Sequence, residues 1–114
     1  MADNAAIHTV YTAILEPEAD GRYSVHVPAL QGVHSYGMTR AEALANVVEA
    51  ANLWIEVEQE MGHSIPENDL LQVIASISKI IADQAADGLD PRLELASITV
   101  LDLKEDPTRG HANC

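Results

Sequence analysis

The sequence predicts an α+β domain: a three-stranded antiparallel sheet, two helices and a late fourth strand, in the order β-β-β-α-α-β. Three observations lead to this prediction. Two strand-like runs flank an Asp-Gly turn, a capping box opens a long amphipathic stretch, and a second apolar helical stretch precedes a final strand-like run. We expect residues 1–103 to form a single domain with one or two helices packed on the sheet, and residues 104–114 to form a flexible tail.

The first two strands are predicted to form a hairpin. Ile7–Leu15 is rich in β-branched and aromatic residues, and Arg22–Pro28 alternates between apolar and polar residues. Pro17 is expected to break the ladder, because proline has no N–H to donate. Asp20 and Gly21 then supply the positive φ that a hairpin turn needs.

The pairing within this hairpin decides which residues share a face of the sheet. We place Leu15 opposite Tyr23. The face that is expected to meet the first helix then carries Tyr11, Ala13, Leu15, Tyr23, Val25 and Val27. The other face is half apolar, so we expect a second subunit, a partner or the second helix to cover it. It carries His8, Val10, Thr12, Ile14, Ser24 and His26.

Proline and glycine mark the path from the second strand to the first helix. Pro28 is expected to end the second strand, and Gly32 to redirect the chain. A short third strand, Val33–Tyr36, then closes at Gly37.

The first helix is predicted to begin at a capping box. Thr39 and Glu42 are spaced so that each side chain can bond an orphan backbone N–H of the first turn. The helix is expected to end near Met61, with Gly62 as a left-handed cap, and Trp54 is expected to anchor it on the sheet. Its apolar stripe consists of Leu44, Val47, Val48, Ala51, Trp54 and Ile55.

A second helix is predicted after a linker at residues 64–68. Asp69 is its candidate N-cap, and a very apolar stripe follows over Leu70–Ile81. The helix ends by Gly88, and Leu93–Leu103 is predicted to form the last strand. The apolar stripe is typical of a core helix, a dimer interface or a partner-binding helix.

The charge of the chain restricts the kind of partner it can bind. Eighteen acidic residues face six basic ones, for a formal net charge of −12. Nucleic-acid binding needs clustered Lys and Arg, but only four of the scattered basic residues lie within residues 67–114, so we expect no DNA binding. The acidic field suits a basic protein partner, because charge complementarity speeds encounter, or it serves solubility alone.

The chain shows no targeting or membrane signal. Its first residues lack the basic and apolar regions of a signal peptide. No apolar run approaches the roughly 20 residues of a membrane span. We therefore expect a cytoplasmic protein.

We expect no catalysis, no cofactor and no metal site. His26 is predicted to lie opposite Thr12, about 13 Å along the strand from His8, which is too far for a shared metal ion. Nuclease chemistry needs carboxylates inside the strands, and these strands have none. The carboxylates near the hairpin turn, Glu16 and Glu18 among them, are of the kind that water usually solvates. The sequence also lacks a nucleophile triad and a phosphate-binding glycine loop.

Residues 11–46 resemble the HicB family of antitoxins, and the resemblance continues to about residue 66. A strand precedes the pattern D-G-x-Y-x-V-x-x-P-x-L-x-G over residues 20–32, and S-x-G-x-T-x-x-E-A-L-x-N follows over residues 35–46. The signature is long and has fixed spacings, so it is specific. The resemblance implies a partial RNase H-like fold without the catalytic acids of the nuclease.

The resemblance also implies a function. Such a chain would be the antitoxin of a type II toxin–antitoxin system, which binds a small basic HicA-like mRNA interferase and occludes its RNA-cleaving surface. It would form a homodimer or a higher oligomer. We take His26, His34 and Tyr36 as candidate partner-binding residues. The alternative is a stand-alone oligomeric HicB-like protein that binds an unknown protein or small molecule.

Overall fold

The computed structural model describes residues 7–102, and the predicted flexible tail lies outside these residues. The predicted α+β class and element order are confirmed. The elements are β1 (Ile7–Pro17), β2 (Tyr23–His26), β3 (His34–Gly37), α1 (Arg40–Glu60), α2 (Leu70–Ala86) and β4 (Glu94–Asp102). All four strands pair antiparallel in one sheet, in the spatial order β3-β2-β1-β4. Neither described helix is long and apolar enough to cross a bilayer.

The register of the β1–β2 hairpin differs from the predicted one by two residues. Leu15 pairs with Val25 rather than with Tyr23, and β1 continues to Pro17, which pairs with Tyr23. The prediction that Pro17 breaks the ladder was therefore wrong. A proline is tolerated at the last paired position of a strand, because no further ladder bond depends on its missing N–H.

A short loop sets this register. The N–H of Glu18 bonds the carbonyl of Arg22 at 2.7 Å, and the N–H of Gly21 bonds the carbonyl of Glu18 at 3.0 Å. Gly21 adopts a φ of +92°. This is a three-residue hairpin loop that ends in a left-handed glycine.

The two-residue shift leaves the facing of every side chain unchanged, because strand side chains alternate with a period of two. The face that was predicted to meet the helix does so. Tyr11, Ala13, Leu15, Val25 and Val27 are buried in one core with α1, and Tyr23 packs against them. Residues of β4, Ile98 and Val100, complete this core on the other side of β1.

The connection from β2 to β3 begins earlier than predicted. The last paired residue of β2 is His26, which pairs with His34, so the strand ends two residues before Pro28. The chain turns at once because the N–H of Leu30 bonds the carbonyl of Val27 at 3.0 Å. Gly32 follows with a φ of +89°.

Helix α1 begins at a side-chain cap. The hydroxyl of Thr39 accepts a hydrogen bond from the N–H of Glu42 at 3.1 Å, and the carboxylate of Glu42 accepts one from the N–H of Met38 at 2.6 Å. The helix buries small residues and one large one, Ala43, Val47, Ala51 and Ile55. Trp54 is only half-buried at the rim of this core, so Ile55 is the deeper anchor.

Helix α2 lies over the second face of the sheet. Its N-cap, Asp69, accepts a hydrogen bond from the N–H of Leu71 at 2.9 Å. Just before it, Asn68 accepts a bond from the backbone N–H of Thr12 at 2.9 Å, at the point where β2 no longer pairs with β1. At the other end of the helix, Gln84 lies near enough to Glu16 to lower the pKa of that carboxyl. Between Thr12 and Glu16 lies Ile14, which is fully buried.

Replacing Gly21 by valine should destabilise the hairpin by about 1 kcal/mol or more. An added Cβ would meet no atom within 4 Å, so the cost comes from the positive φ alone. Thermal unfolding followed by circular dichroism measures it. An unchanged melting temperature would show that the left-handed turn does not form.

Candidate partner-binding surface

The three candidate partner-binding residues lie together on one face of two neighbouring strands. His26 of β2 is directly opposite His34 of β3, and Ser24 is directly opposite Tyr36. Since β3 is an edge strand, this surface ends in open backbone. We call the group Arg22, Ser24, His26, His34 and Tyr36 the β2–β3 face.

Burial changes in steps across this part of the sheet. Ile14, His26 and His34 stand side by side on three neighbouring strands, and they are fully buried, half-buried and exposed in that order. Helix α2 therefore covers β1 and leaves β3 free. Burial lowers the pKa of His26, and the charge of His34 lowers it further, so His26 is neutral at pH 7.

Tyr36 is the large aromatic residue of the β2–β3 face, and 56% of its surface is exposed. The guanidinium of Arg22 lies over its ring, 5.5 Å from the centroid. Asp20 holds this guanidinium by an ion pair of 2.8 Å. The hydroxyl of Ser24 donates to the carboxylate of Glu18 at 2.7 Å. The hairpin turn thus supports the face from one end.

Helix α1 fixes the position of β3 from the core side of the sheet. The side-chain amide of Asn46 donates to the backbone carbonyl of Tyr36 at 2.7 Å. The next residue, Gly37, lies so close to the helix that an added Cβ would fall 2.2 Å from the backbone nitrogen of Ala43. The sequence prediction gave Asn46 no role, since only the fold brings it to β3.

We expect the half-buried His26 to make stability depend on pH. Its folded pKa is lowered from 6.5, so the unfolded chain binds the proton more tightly and the stabilising neutral form is lost as pH falls through the folded pKa. Between about pH 8 and about pH 5, the melting temperature of the wild type should fall further than that of His26→Gln. Equal slopes for the two proteins would contradict this.

The solvent side of α1 forms a second exposed surface, which the sequence prediction missed. Leu53, Val57 and Met61 are exposed at four-residue spacing, so they lie in one row along the helix. Glutamates surround this row, and α1 contains Glu42, Glu49, Glu56, Glu58 and Glu60. The missed signal was a large apolar residue at every fourth position outside the core stripe.

Within residues 7–102, no group of three or more His, Cys, Asp or Glu side chains could hold a metal ion. The pKa of Glu16 is raised by partial burial and by the negative charges of Glu18 and Asp83, and the nearby side chain of Gln84 opposes this shift. The residues around Glu16 thus account for its raised pKa, and no ligand is needed to explain it.

Comparison with known proteins places this architecture in a family. The family model of HicB-like antitoxins of bacterial toxin–antitoxin systems matches residues 11–88, a range that includes α2. A UPF0150 protein of Synechocystis sp. is 43% identical over 61 residues, which cover 54% of this chain and 77% of that protein.

Two solved structures share the fold. The antitoxin HicB of Burkholderia pseudomallei superposes with a TM-score of 0.59 at 23% identity, over 86% of this chain and 65% of that one. A chain of a toxin–antitoxin complex from Streptococcus pneumoniae superposes with a TM-score of 0.59 at 24% identity, over 82% of this chain and 69% of that one. Because the family model covers well over half of its length, the chain belongs to the HicB-like antitoxins of bacterial toxin–antitoxin systems.

Proposed function

We propose that this chain is the antitoxin of a type II toxin–antitoxin system and that it binds a small, basic HicA-like mRNA interferase. The observation that carries the proposal is family membership combined with a net charge of −12. An enzyme that grips RNA needs a basic surface, and an acidic chain is electrostatically complementary to it. In this proposal the chain acts in the cytoplasm, performs no chemistry and inhibits by covering that surface.

The β2–β3 face is the surface that we propose to meet the toxin. Its centre is Tyr36, an exposed aromatic residue stacked by Arg22, and aromatic residues and arginine are over-represented at the energetic centres of interfaces. The open edge of β3 adds backbone groups to which a partner strand can bond. The acidic outer side of α1 is the second surface that attracts a basic protein.

The test is co-expression with a small basic protein whose gene neighbours the gene of this chain, and the absence of any such gene would itself count against the proposal. Only the antitoxin carries an affinity tag, and both copurification and RNA cleavage by the toxin are measured. We expect a stable complex and inhibited cleavage, with affinity that falls as salt is raised. Failure to copurify, or cleavage that continues in the complex, would reject the proposal and favour a stand-alone oligomeric protein with another ligand.

Two matched variants locate the surface. Tyr36→Ala removes the aromatic centre of the β2–β3 face and should weaken toxin binding about 30-fold, the effect of losing roughly 2 kcal/mol at a hot spot. Leu53→Ala truncates a similarly exposed residue on α1 and should leave affinity nearly unchanged. The reverse pattern would place the toxin on α1.

A further inference from the structure

Two histidine side chains lie directly opposite each other on the β2–β3 face, and the proposed function does not require their imidazoles. His26 of β2 pairs with His34 of β3, and both point away from the core that α1 covers. His26 is half-buried and His34 is exposed, so small solutes can reach the pair from the His34 side. For the histidines, the expectation of no metal site rested on the distance between His8 and His26, because the sequence alone does not give the register between β2 and β3.

The hydrogen bonds of the ladder show how close this pair is. Next to it, the N–H of Val27 bonds the carbonyl of Val33 at 3.1 Å, so Val27 and Val33 occupy a hydrogen-bonded position. Hydrogen-bonded and non-hydrogen-bonded positions alternate along antiparallel strands, so His26 and His34 form a non-hydrogen-bonded pair. In such a pair the Cα atoms are only about 4.5 Å apart, and the side chains are closer than in the hydrogen-bonded kind. The two imidazoles can therefore reach the same small ion.

Two imidazoles at this spacing have the chemistry of a transition-metal site. A tetrahedral Zn²⁺ ion holds each histidine nitrogen at about 2.0–2.1 Å, which puts two such nitrogens roughly 3.3 Å apart. The ring of His34 is exposed and has room to turn toward His26. Imidazole nitrogen suits Zn²⁺, Cu²⁺ and Ni²⁺, whereas Mg²⁺ and Ca²⁺ prefer carboxylate, carbonyl and water oxygens.

The charge around the pair favours a cation. The chain has a net charge of −12, and such a field raises the concentration of positive ions at its surface. The basic residue of the β2–β3 face is Arg22, which lies four residues before His26, or about 13 Å at the rise of a strand. Asp20 holds the guanidinium of Arg22 in an ion pair of 2.8 Å, so this positive charge is compensated.

We propose that His26 and His34 form an open binding site for a divalent transition-metal ion, and that Zn²⁺ is the ion. The two imidazoles would fill two of the four positions around a tetrahedral ion. Among residues 7–102, no further His, Cys, Asp or Glu side chain completes a group of three, so water or a side chain of a bound partner would take the outer positions. The site belongs to this chain alone, and it does not rest on the proposed antitoxin function.

Isothermal titration calorimetry of the untagged full chain with Zn²⁺ tests the proposal. The parent protein for this experiment carries Cys114→Ser, so that the thiol of the last residue supplies no competing ligand. We expect it to bind one Zn²⁺ per chain. His34→Gln leaves a single imidazole, and it should weaken Zn²⁺ binding at least about tenfold. Because the two histidines meet only in the folded sheet, Zn²⁺ should also raise the melting temperature of the parent protein more than that of His34→Gln.

His63→Gln is the matched control, because it removes an exposed histidine that pairs with Glu58 and not with another histidine. It should leave the affinity for Zn²⁺ unchanged. Equimolar Mg²⁺ should not displace Zn²⁺, which distinguishes binding by imidazole from general attraction to an acidic surface. Absence of Zn²⁺ binding, equal affinity of His34→Gln and the parent protein, the same loss in His63→Gln, or displacement by Mg²⁺ would each overturn the proposal.

Discussion

Replacing Gly37 by alanine is expected to lower the free energy of unfolding by about 3 kcal/mol, the upper part of the usual range for overpacking. An ideal Cβ at this position would lie 2.2 Å from the nitrogen of Ala43, 2.7 Å from its Cα and 2.8 Å from the carbonyl carbon of Glu42. All three atoms belong to the backbone, so no side chain can rotate away. Either β3 or the first turn of α1 must move.

Thermal unfolding measures this cost, and for a domain of this size we expect a drop in melting temperature on the order of 10–20 °C. Gly32→Ala is the control. That glycine has a φ of +89° and open space around it, so alanine should cost only about 1 kcal/mol of backbone strain. If both variants melt at the same temperature, the strand and the helix do not approach as closely as the structure indicates.

The two glycines show what local sequence patterns can predict. Both were given the same role, as punctuation of the chain. Gly32 has a positive φ, which is a property of its own turn, whereas Gly37 is the last residue of β3 and is restricted by a helix that begins three residues later. A local sequence pattern can predict the restriction on Gly32, because that restriction arises within a single turn. The restriction on Gly37 depends on how two elements pack.

The β1–β2 hairpin also shows that local patterns predict some features and not others. Alternation along β1 and β2 predicted which side chains enter the core, and the shift of two residues preserved that prediction. The register itself depends on the length of the loop, which the hydrogen bonds of Glu18 set. The sequence indicated which strands carry the candidate partner-binding residues. That His26 pairs with His34, and that Arg22 stacks on Tyr36, could be known only from the fold.

The position of α2 could not be predicted from its sequence because most of its circumference is apolar. Its polar residues are Gln72, Ser76, Ser78, Lys79, Asp83 and Gln84, and the apolar residues between them cover more than one side of the helix. Hydrophobicity alone therefore does not single out the side that faces the sheet. Polar contacts at the two ends of α2 determine which side faces the sheet. One joins Asn68 to Thr12, and the other joins Gln84 to the backbone of Arg92. The first contact joins residues that are 56 positions apart, whereas the second spans only the eight residues that lead from α2 toward β4.

Replacing Ile14 by alanine is expected to cost about 3–4 kcal/mol of unfolding free energy, within the usual range for a buried isoleucine. Ile14 is fully buried although it faces away from α1, so α2 must provide its cover. Truncation leaves a cavity beneath α2. Amide hydrogen exchange should therefore accelerate in α2 more than in α1, while chemical denaturation reports the global loss.

Val10→Ala is the control. It distinguishes the loss of packing between Ile14 and α2 from the effect of truncating any side chain on this face of β1. Val10 lies on the same face of the same strand, but 54% of its surface is exposed, beyond the bond between Asn68 and Thr12 where α2 begins. Its truncation should change stability by less than about 0.5 kcal/mol. If the two variants lost the same amount of unfolding free energy, α2 would not cover Ile14 more than it covers Val10. A large cost at Ile14 alone shows that α2 is part of the folded core and does not merely lie on its surface.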